Sequence, residues 1–242
     1  MPSPNNYRII ADLHTHTVAS EHAFSTLKEN IIEAKSKGLE ILGISDHGPK
    51  TKGGPTSHFF SNMLHLPEEM EGIRLLKGVE ANILEKDGAT DLTETYLKKL
   101  DYAIVSMHAG MAPAQSATEN TDTYIRVMEK SWATIIGHPD NPSFPIEAER
   151  FVIAAKKTNT AIEVNNHSFS ARSKGISQFK AILQYAIQYQ APVIVNSDAH
   201  WHTAIGSMPK ALELLEEINF PENLILNTNS DRLYAFIAKK RQ

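Results

Sequence analysis

The chain has 242 residues, of which 41% are hydrophobic and 21% are charged, and its formal net charge is −4, so it can bury the core of a large globular domain. This balanced charge, with no basic stripe or acidic tail, argues against nucleic acid or a membrane surface as the main partner. The chain contains no cysteine, which excludes disulfides and thiolate metal sites, so any bound metal must rest on His, Asp and Glu.

The start of the chain, residues 1–7, is polar and contains proline, and it lacks the charged and apolar regions of a signal peptide. No apolar run elsewhere is long enough to cross a membrane. We therefore expect a cytoplasmic protein in which residues 1–242 form one domain with a short tail at residues 1–7.

Short apolar runs alternate with longer amphipathic segments, which is typical of an α/β fold. The apolar runs are short and rich in Ile, Val, Leu and Ala, as strands buried on both faces should be. They predict strands at residues 8–12, 41–46, 74–79, 102–106, 134–137, 161–165 and 192–196. The amphipathic segments predict helices at residues 27–37, 93–100, 122–130, 146–158, 177–189, 208–217 and 231–239.

This alternation predicts parallel strands with right-handed crossovers, and seven such strands in so short a chain favour a closed or nearly closed TIM-like barrel. The run at residues 224–227 is a candidate eighth strand, which we do not expect to form. An open doubly wound sheet is the competing architecture. The loop at residues 48–58, with Gly-Gly-Pro at 53–55, is the most irregular segment and is expected near the site entrance.

Side chains that can bind metal follow six of the seven predicted strands, at the ends where barrel enzymes place their active sites. They are His14, His16 and His22 after the first strand, His47 after the second, Glu80 after the third, His108 after the fourth, His138 after the fifth, and Asp198 and His200 after the seventh. Imidazole and carboxylate suit Zn²⁺, Mn²⁺ or Fe²⁺, and nine ligands exceed what one ion uses. The joint pattern therefore predicts a site for two or three metal ions.

The other histidines carry weaker signals. His58 and His65 lie in no repeated motif, and His167 is expected outside the ligand set or at the surface. His202 is an alternative to His200, which we favour because Asp198 and His200 follow the strand end directly.

These motifs resemble the polymerase-and-histidinol-phosphatase (PHP) superfamily over nearly the whole chain. The resemblance rests on Asp12-Leu-His14-Thr-His16-Thr, Ser45-Asp46-His47, Gly78-Val-Glu80, Gly137-His138-Pro139 and Ser197-Asp198-Ala-His200. Further segments are similar to the stand-alone bacterial YcdX-type phosphatases, namely Val18-Ala-Ser20, Glu80-Ala-Asn82-Ile83, Glu163-Val-Asn165-Asn166 and Arg172-Ser-Lys174-Gly175.

The resemblance implies a distorted (β/α)7 barrel with three metal ions, usually zinc, with manganese or iron as alternatives. It implies that the first ion is held by His14, His16, Glu80 and Asp198, the second by His22, His47 and His200, and the third by Glu80, His108 and His138. All nine positions are filled, which is typical of an active enzyme. The segments 106–110 and 201–202 depart from the forms associated with this branch and bear on substrate choice.

The implied reaction is hydrolysis of a small-molecule phosphate ester by a metal-activated water. Arg172 is a candidate clamp for phosphate oxygens, and its alternative is a solvated loop arginine. Asp46 is a candidate for orienting a metal-bound histidine, and its alternative is capping of the loop backbone.

Two other classes compete with a phosphoesterase. A metal-dependent amidohydrolase also uses His-x-His after the first barrel strand, but it requires a metal-bridging lysine at a strand end, and none stands there. A non-enzymatic metal-binding regulatory module or polymerase-accessory module is the other alternative. The sequence names neither the substrate nor the native metal, and it leaves a homo-oligomer open.

Overall fold

The structure is a computed structural model that describes residues 7–113 and 115–242, so most of the predicted tail lies outside the described residues. Within this range the strands are β1 (Ala11–Asp12), β2 (Ile41–Ile44), β3 (Glu69–Met70), β4 (Ile73–Lys77), β5 (Glu80–Asn82), β6 (Ile104–Ser106), β7 (Ile135–Ile136), β8 (Ala161–Asn165) and β9 (Val193–Asn196). The α-helices are α1 (Leu27–Ser36), α2 (Ser57–Asn62), α3 (Glu94–Leu97), α4 (Ala117–Met128), α5 (Ala148–Lys157), α6 (Ser168–Ala171), α7 (Ile176–Tyr189), α8 (Pro209–Glu217) and α9 (Ser230–Lys240). None of the helices in these two ranges combines the length and the apolar character that crossing a bilayer requires.

The strands form two sheets in the orders β1-β2-β4-β3 and β5-β6-β7-β8-β9, with every pairing parallel except that of β3 with β4. Isolated parallel bridges link the two sheets, one between His47 and Glu80 and one between Thr15 and Ala199. Apart from the antiparallel β3–β4 pair, strand order follows the sequence without the reversal of a doubly wound sheet, which argues against that alternative. The structure thus shows a mixed α/β fold with two largely parallel sheets.

The third predicted strand, residues 74–79, is divided into β4 and β5, which the sequence did not indicate. Gly78 N donates to Ile44 O at the end of β2, whereas Glu80 pairs with Ile104 of β6, so the chain passes from one sheet to the other at this point. The break leaves Glu80 as the first residue of β5.

The ring of Tyr102 occupies the space beside this break. A β-carbon at Gly78 or at Gly43 would overlap the Tyr102 ring, so both positions require glycine for this close approach. The Tyr102 hydroxyl donates to Leu13 O over 2.6 Å and is fully buried. Tyr102 therefore ties Leu13, the residue directly before His14, to the interior of the fold.

We expect Tyr102→Phe to lower the free energy of unfolding by about 1–3 kcal/mol, because the buried Leu13 carbonyl loses its hydroxyl donor. Urea denaturation of this variant beside the wild type measures the change. Tyr234→Phe is the matched control, since that ring is partly exposed. Equal stabilities of all three proteins would contradict the assigned role of the Tyr102 hydroxyl.

Residues 224–227 do not form a strand, as predicted. Leu224 ends the 3-10 helix Glu222–Leu224, and Leu226 and Asn227 belong to the 3-10 helix Leu226–Thr228. Ile225 lies between the two and forms an isolated bridge to Val193. The buried Asn227 side chain donates to Ala11 O and Val195 O over 2.7 and 2.6 Å. A side-chain amide therefore satisfies the backbone groups of β1 and β9 that an eighth strand would have paired.

Two helices differ from the prediction, and a capping box explains the difference in one of them. α4 begins at residue 117 rather than 122, since Ser116 and Glu119 form a capping box. α2 and β3 lie at residues 57–70, before the third predicted strand, where no helix or strand was predicted, and Thr56 precedes α2 in extended conformation without a side-chain cap.

The apolar core has one large cluster that includes residues of the helices and a second cluster near the amino ends of the strands. The second cluster includes Ile41, Ile104, Ile135 and Ala161, the first residues of β2, β6, β7 and β8. This packing fills the amino-terminal side of the sheets, and the polar side chains gather at the opposite, carboxyl-terminal side.

Candidate metal centre

The structure brings the nine predicted ligands together. His14 and His16 follow β1, His47 follows β2, His108 follows β6, His138 follows β7, and Asp198 and His200 follow β9. A cavity of about 370 Å³ opens onto this cluster and is lined by seven of the nine, with His167 and Arg172 beside them.

Glu80 lies at the centre of the cluster and is almost completely buried. Its Oε2 atom is 2.8 Å from His47 Nδ1 and 3.4 Å from His14 Nε2. Its Oε1 atom is 2.9 Å from His138 Nε2 and 3.3 Å from His108 Nε2. One carboxylate therefore faces two separate pairs of imidazoles, each through a different oxygen.

Asp198 forms a second centre with the first histidine motif. Its Oδ1 atom lies 3.3 Å from His16 Nε2 and 3.4 Å from His14 Nε2.

Asp198 has a φ of 59°, and His138 has a φ of 27°. A positive φ is costly for residues other than glycine and concentrates at functional sites, so the fold holds both side chains against backbone strain.

His22 and His200 complete the cluster at its outer edge. The Nε2 atoms of His22 and His47 are 3.1 Å apart, and the His200 ring centre lies 4.3 Å from that of His16. Three groups have ligand atoms within 4.8 Å of one another, which are His14–His16–Asp198, His16–His47–His200 and His47–Glu80–His108. Neighbouring groups share a histidine, so the three candidate groups are contiguous.

Several buried polar atoms of the cluster form no hydrogen bond among the described residues, and they include His47 Nδ1 and Glu80 Oε2, whose 2.8 Å contact lacks hydrogen-bond geometry. They are His14 Nε2, both ring nitrogens of His16, His47 Nδ1, His138 Nδ1 and Glu80 Oε2. Buried polar atoms are rarely left unpaired because each costs free energy. Most of these atoms converge on one space, and divalent cations of the zinc class accept this donor set. The residues present therefore fit a metal centre.

Side-chain and backbone oxygens contact the Nδ1 atoms of three proposed histidine ligands and so fix the orientation of these rings. The Nδ1 atom of His14 lies 2.7 Å from Glu163 Oε1, and that of His108 lies 2.6 Å from Asn82 Oδ1. The Nδ1 atom of His200 lies 3.0 Å from Asp198 O. Such contacts direct Nε2 toward the metal in metalloproteins.

Glu163 is the main functional residue that the sequence reasoning missed. It is fully buried in the middle of β8, where its Oε2 accepts the His138 backbone N–H over 2.7 Å. Asn196 donates to its Oε1 over 2.9 Å. The available signal was a carboxylate inside an apolar strand, since a charge in that position must be paired.

Burial keeps four of the seven imidazoles of the cluster neutral. Burial and the nearby His47 lower the pKa of His16 well below its usual value, and burial lowers the pKa of His138 to about 4. Burial also lowers the pKa values of His22 and His200. Neutral imidazole is the form that binds metal, so these four rings have the required protonation state at neutral pH.

The carboxylates remain ionised against the effect of burial. Burial by itself would raise the pKa of Glu80, but His14 and His108 outweigh it and hold that pKa well below the usual range. Asp198 behaves in the same way beside His14 and His16. Burial would lower the pKa of His14, yet the surrounding carboxylates raise it well above its usual value. The cluster thus favours an added positive charge.

Arg172 lies at the cavity wall and is only 15% exposed, so it is not a solvated loop arginine. Its Nη2 donates to Asp198 Oδ2 over 3.0 Å, and its Nε donates to Ser168 Oγ over 3.0 Å. Ser168 in turn donates to Asp140 Oδ1. The guanidinium is therefore held in place at the edge of the cluster.

The remaining candidates fall outside the cluster. Asp46 accepts hydrogen bonds from Thr17 N and Ser20 Oγ, each over 2.8 Å, which are the loop-capping contacts that were its alternative. His202 lies against Ser25, with Nδ1 and Oγ 3.2 Å apart, while His200 faces the other histidines. The loop at 48–58 supplies no residue to the lining of the cavity in the part of the chain that is described.

Comparison with known proteins identifies the family of this chain. The PHP domain family matches residues 12–176, and the chain belongs to that family. A probable phosphatase of Caldanaerobacter subterraneus is 44% identical over 97% of this chain and 93% of the relative. A probable phosphatase of Clostridium botulinum is 40% identical over 96% of this chain and 96% of the relative. A probable phosphatase of Acetivibrio thermocellus is 37% identical over 97% of this chain and 98% of the relative.

Solved structures share the fold at low sequence identity. A histidinol phosphate phosphatase from Lactococcus lactis, solved with zinc, L-histidinol and phosphate, has a TM-score of 0.60 and 16% identity, over 87% of this chain and 94% of that one. A chain of an archaeal ribonuclease P with mature tRNA has a TM-score of 0.53 and 12% identity, over 95% of this chain and 90% of that one. At these identities the likeness concerns the fold alone.

Proposed function

We propose that this protein is a metal-dependent phosphatase that hydrolyses a small-molecule phosphate ester. The observation that carries the proposal is Glu80, a buried carboxylate with imidazole nitrogens of His14, His47, His108 and His138 within 3.4 Å of its two oxygens. This arrangement suits a carboxylate that bridges two cations. The phosphatase names of the relatives support the same reaction class.

The finer proposal is a trinuclear zinc centre within a single-domain, distorted (β/α)7 barrel. The two bridges that link the sheets support barrel closure. We assign the first ion to His14, His16, Glu80 and Asp198, the second to His22, His47 and His200, and the third to Glu80, His108 and His138. The short distances around Glu80 and Asp198 support the first and third sets, and the contact of His22 with His47 supports the second.

Bound divalent ions would acidify a coordinated water and neutralise phosphate oxygens, which is the chemistry that phosphate ester hydrolysis requires. The protein supplies the positions of the groups around them. Glu163 and Asn82 orient His14 and His108. Arg172 offers a fixed guanidinium that can donate to phosphate oxygens at the cavity wall.

The cavity lining favours a phosphoesterase over the alternative of an amidohydrolase. An amidohydrolase of this type needs a lysine at the metals, and the described residues that line the cavity include no lysine. Arg172 instead provides the kind of planar donor that recognises phosphate.

A metal-defined screen of phosphomonoesters and phosphodiesters tests this function. We expect the metal-loaded protein to hydrolyse at least one of these esters, chelation to abolish that activity, and added Zn²⁺ or Mn²⁺ to restore it. Full activity in metal-free protein would end this proposal, as would a metal-loaded protein that is inactive on every phosphate ester but active on amides.

Replacement of Arg172 tests the phosphate contact. Arg172→Ala should lower kcat/KM by about 10–100-fold, or about 1.4–2.8 kcal/mol of transition-state stabilisation, with unchanged metal content. Lys174→Ala is the matched control, because it removes a positive charge from an exposed position of the same loop. An unchanged kcat/KM in Arg172→Ala would show that this guanidinium does not bind phosphate.

A further inference from the structure

A short hairpin after β5 brings Asp91 beside Asn82, whose side chain contacts a proposed metal ligand. β5 ends at Asn82, and Ile83 forms an antiparallel bridge with Thr90 on the returning segment. Asp91 follows Thr90, and its backbone N–H donates to Asn82 O over 3.1 Å. The hairpin therefore places a half-buried carboxylate next to a fully buried amide, and that amide contacts His108.

Asp91 fixes the orientation of the Asn82 amide. Its Oδ2 accepts from Asn82 Nδ2 over 2.6 Å, and its Oδ1 accepts from Asn82 N over 2.9 Å. Thr51 Oγ1 also accepts from Asn82 Nδ2, over 2.9 Å. A flipped amide would set Asn82 Oδ1 against the Asp91 carboxylate, and two acceptors without a hydrogen between them repel each other. The amide nitrogen therefore faces Asp91, and the amide oxygen is left for another partner.

That amide oxygen selects one tautomer of His108. Asn82 Oδ1 lies 2.6 Å from His108 Nδ1, and an amide oxygen accepts hydrogen bonds but cannot donate them, so Nδ1 carries a proton. The other ring nitrogen, Nε2, lies 3.3 Å from Glu80 Oε1 inside the cluster. The His108 side chain is 25% exposed, so packing alone does not hold its ring. The contact with Asn82 therefore decides which nitrogen His108 offers to a metal ion.

Asp91 is itself held by the loop that follows His47. Lys50 N donates to Asp91 Oδ2 over 3.1 Å. A β-carbon at Gly48 would lie 2.3 Å from both carboxylate oxygens, so glycine is required there for the close approach. Burial raises the pKa of Asp91, and the hydrogen bonds from Asn82 and Lys50 oppose that rise. These bonds all come from N–H donors, as an ionised carboxylate requires.

We propose that Asp91 is a positioning residue of the metal centre, which acts through Asn82 to hold His108 in the tautomer that presents Nε2 to a metal ion. This inference rests on the proposed function, in which His108 belongs to the third ion. Groups that accept the second N–H of a histidine ligand fix its tautomer and strengthen metal binding. Asp91 acts one residue further from the metal and does not line the cavity.

The Nδ1 proton of His108 provides a direct test. Long-range ¹H–¹⁵N spectra of zinc-loaded protein with ¹⁵N-labelled histidine distinguish a ring protonated at Nδ1 from one protonated at Nε2. His108→Gln assigns the signal. We expect the wild-type ring to carry its proton on Nδ1 and to bind zinc through Nε2.

Asp91→Asn changes the partner of the Asn82 amide but hardly its volume. Two amides can pair in either orientation, so Asn82 can then turn its Nδ2 toward His108. We expect the signal of the His108 Nδ1 proton to weaken or disappear. Zinc titration should show an affinity of the His108 site that is lower by about 10-fold, the lower end of the range for residues behind a metal ligand.

Two further variants separate positioning from a merely structural role. Asp101→Asn is the matched control, because Asp101 is also half-buried and accepts a backbone N–H, that of Lys77, over 2.7 Å. It should leave the His108 signal and the zinc affinity unchanged. The double variant Asn82→Asp with Asp91→Asn exchanges the two groups. Its carboxylate at position 82 can only accept from His108, so it should restore the Nδ1 proton and most of the zinc affinity.

Gly48→Ala is the second variant if Asp91→Asn fails to fold, because its methyl group would displace the Asp91 carboxylate. An unchanged Nδ1 proton and zinc affinity in the variant that folds would overturn the proposal. So would a wild-type His108 protonated at Nε2, an equal loss in Asp101→Asn, or a double variant without recovery.

These measurements use no substrate. A protein that behaves as expected here but hydrolyses no phosphate ester would contradict the proposed reaction and leave the role of Asp91 in place. Spectra of the metal-free protein report the same Nδ1 proton, so they test the contact of Asn82 with His108 even if the wild type binds no zinc.

Discussion

Replacement of Glu80 by alanine is expected to remove at least one metal ion per chain and nearly all phosphatase turnover. The Glu80 carboxylate faces His14 and His47 through one oxygen and His108 and His138 through the other. Its loss removes a ligand from two proposed ions at once. It also removes the negative charge between them, so the repulsion between the two cations is no longer offset.

The matched variant is His22→Ala, which removes one exposed ligand at the edge of the cluster. Because His22 contacts the cluster through His47, we expect a weaker second ion and partial recovery of activity in excess metal. Elemental analysis and turnover of both variants beside the wild type decide the comparison. Three ions retained in Glu80→Ala would show that Glu80 is not the bridge, and the ligand sets would have to be redrawn.

Replacement of Glu163 by alanine is expected to weaken metal binding by about 10–100-fold, although Glu163 is not a proposed ligand. Its carboxylate holds His14 Nδ1 at 2.7 Å and accepts the His138 backbone N–H, so one residue positions parts of two ion sites. In metal-free protein, the loss of this buried partner of His14 should also lower the free energy of unfolding by about 3–5 kcal/mol.

Glu163→Gln is the matched variant for this experiment. It keeps the side-chain volume and an oxygen that can accept from His14, but it removes the negative charge. We therefore expect a smaller loss of metal affinity than in Glu163→Ala. Metal titrations and urea denaturation measure the two effects. A Glu163→Ala protein with wild-type metal affinity would show that the His14 ring is oriented without this contact.

The alternation of apolar and amphipathic segments determined the parallel α/β fold and the positions of its strands. Each proposed ligand except His22 stands in a short motif at or just after a strand, such as His14-Thr-His16 or Ser45-Asp46-His47. Parallel strands bring their carboxyl ends to one side, so periodicity alone predicts that these side chains meet. For that reason the nine residues of the cluster could be named before their distances were measured.

Only the tertiary structure decided how the cluster is supported. Glu163 and His14 are 149 positions apart, and Arg172 and Asp198 are 26 positions apart. No local pattern encodes such contacts, because they depend on the register between strands and on loop conformation. The same limit applies to the division of the third strand at Gly78, which depends on the Tyr102 ring packed against it. It also applies to Asp46. Its short motif predicted a contact with a metal-bound histidine, whereas in the structure its carboxylate accepts hydrogen bonds from Thr17 and Ser20.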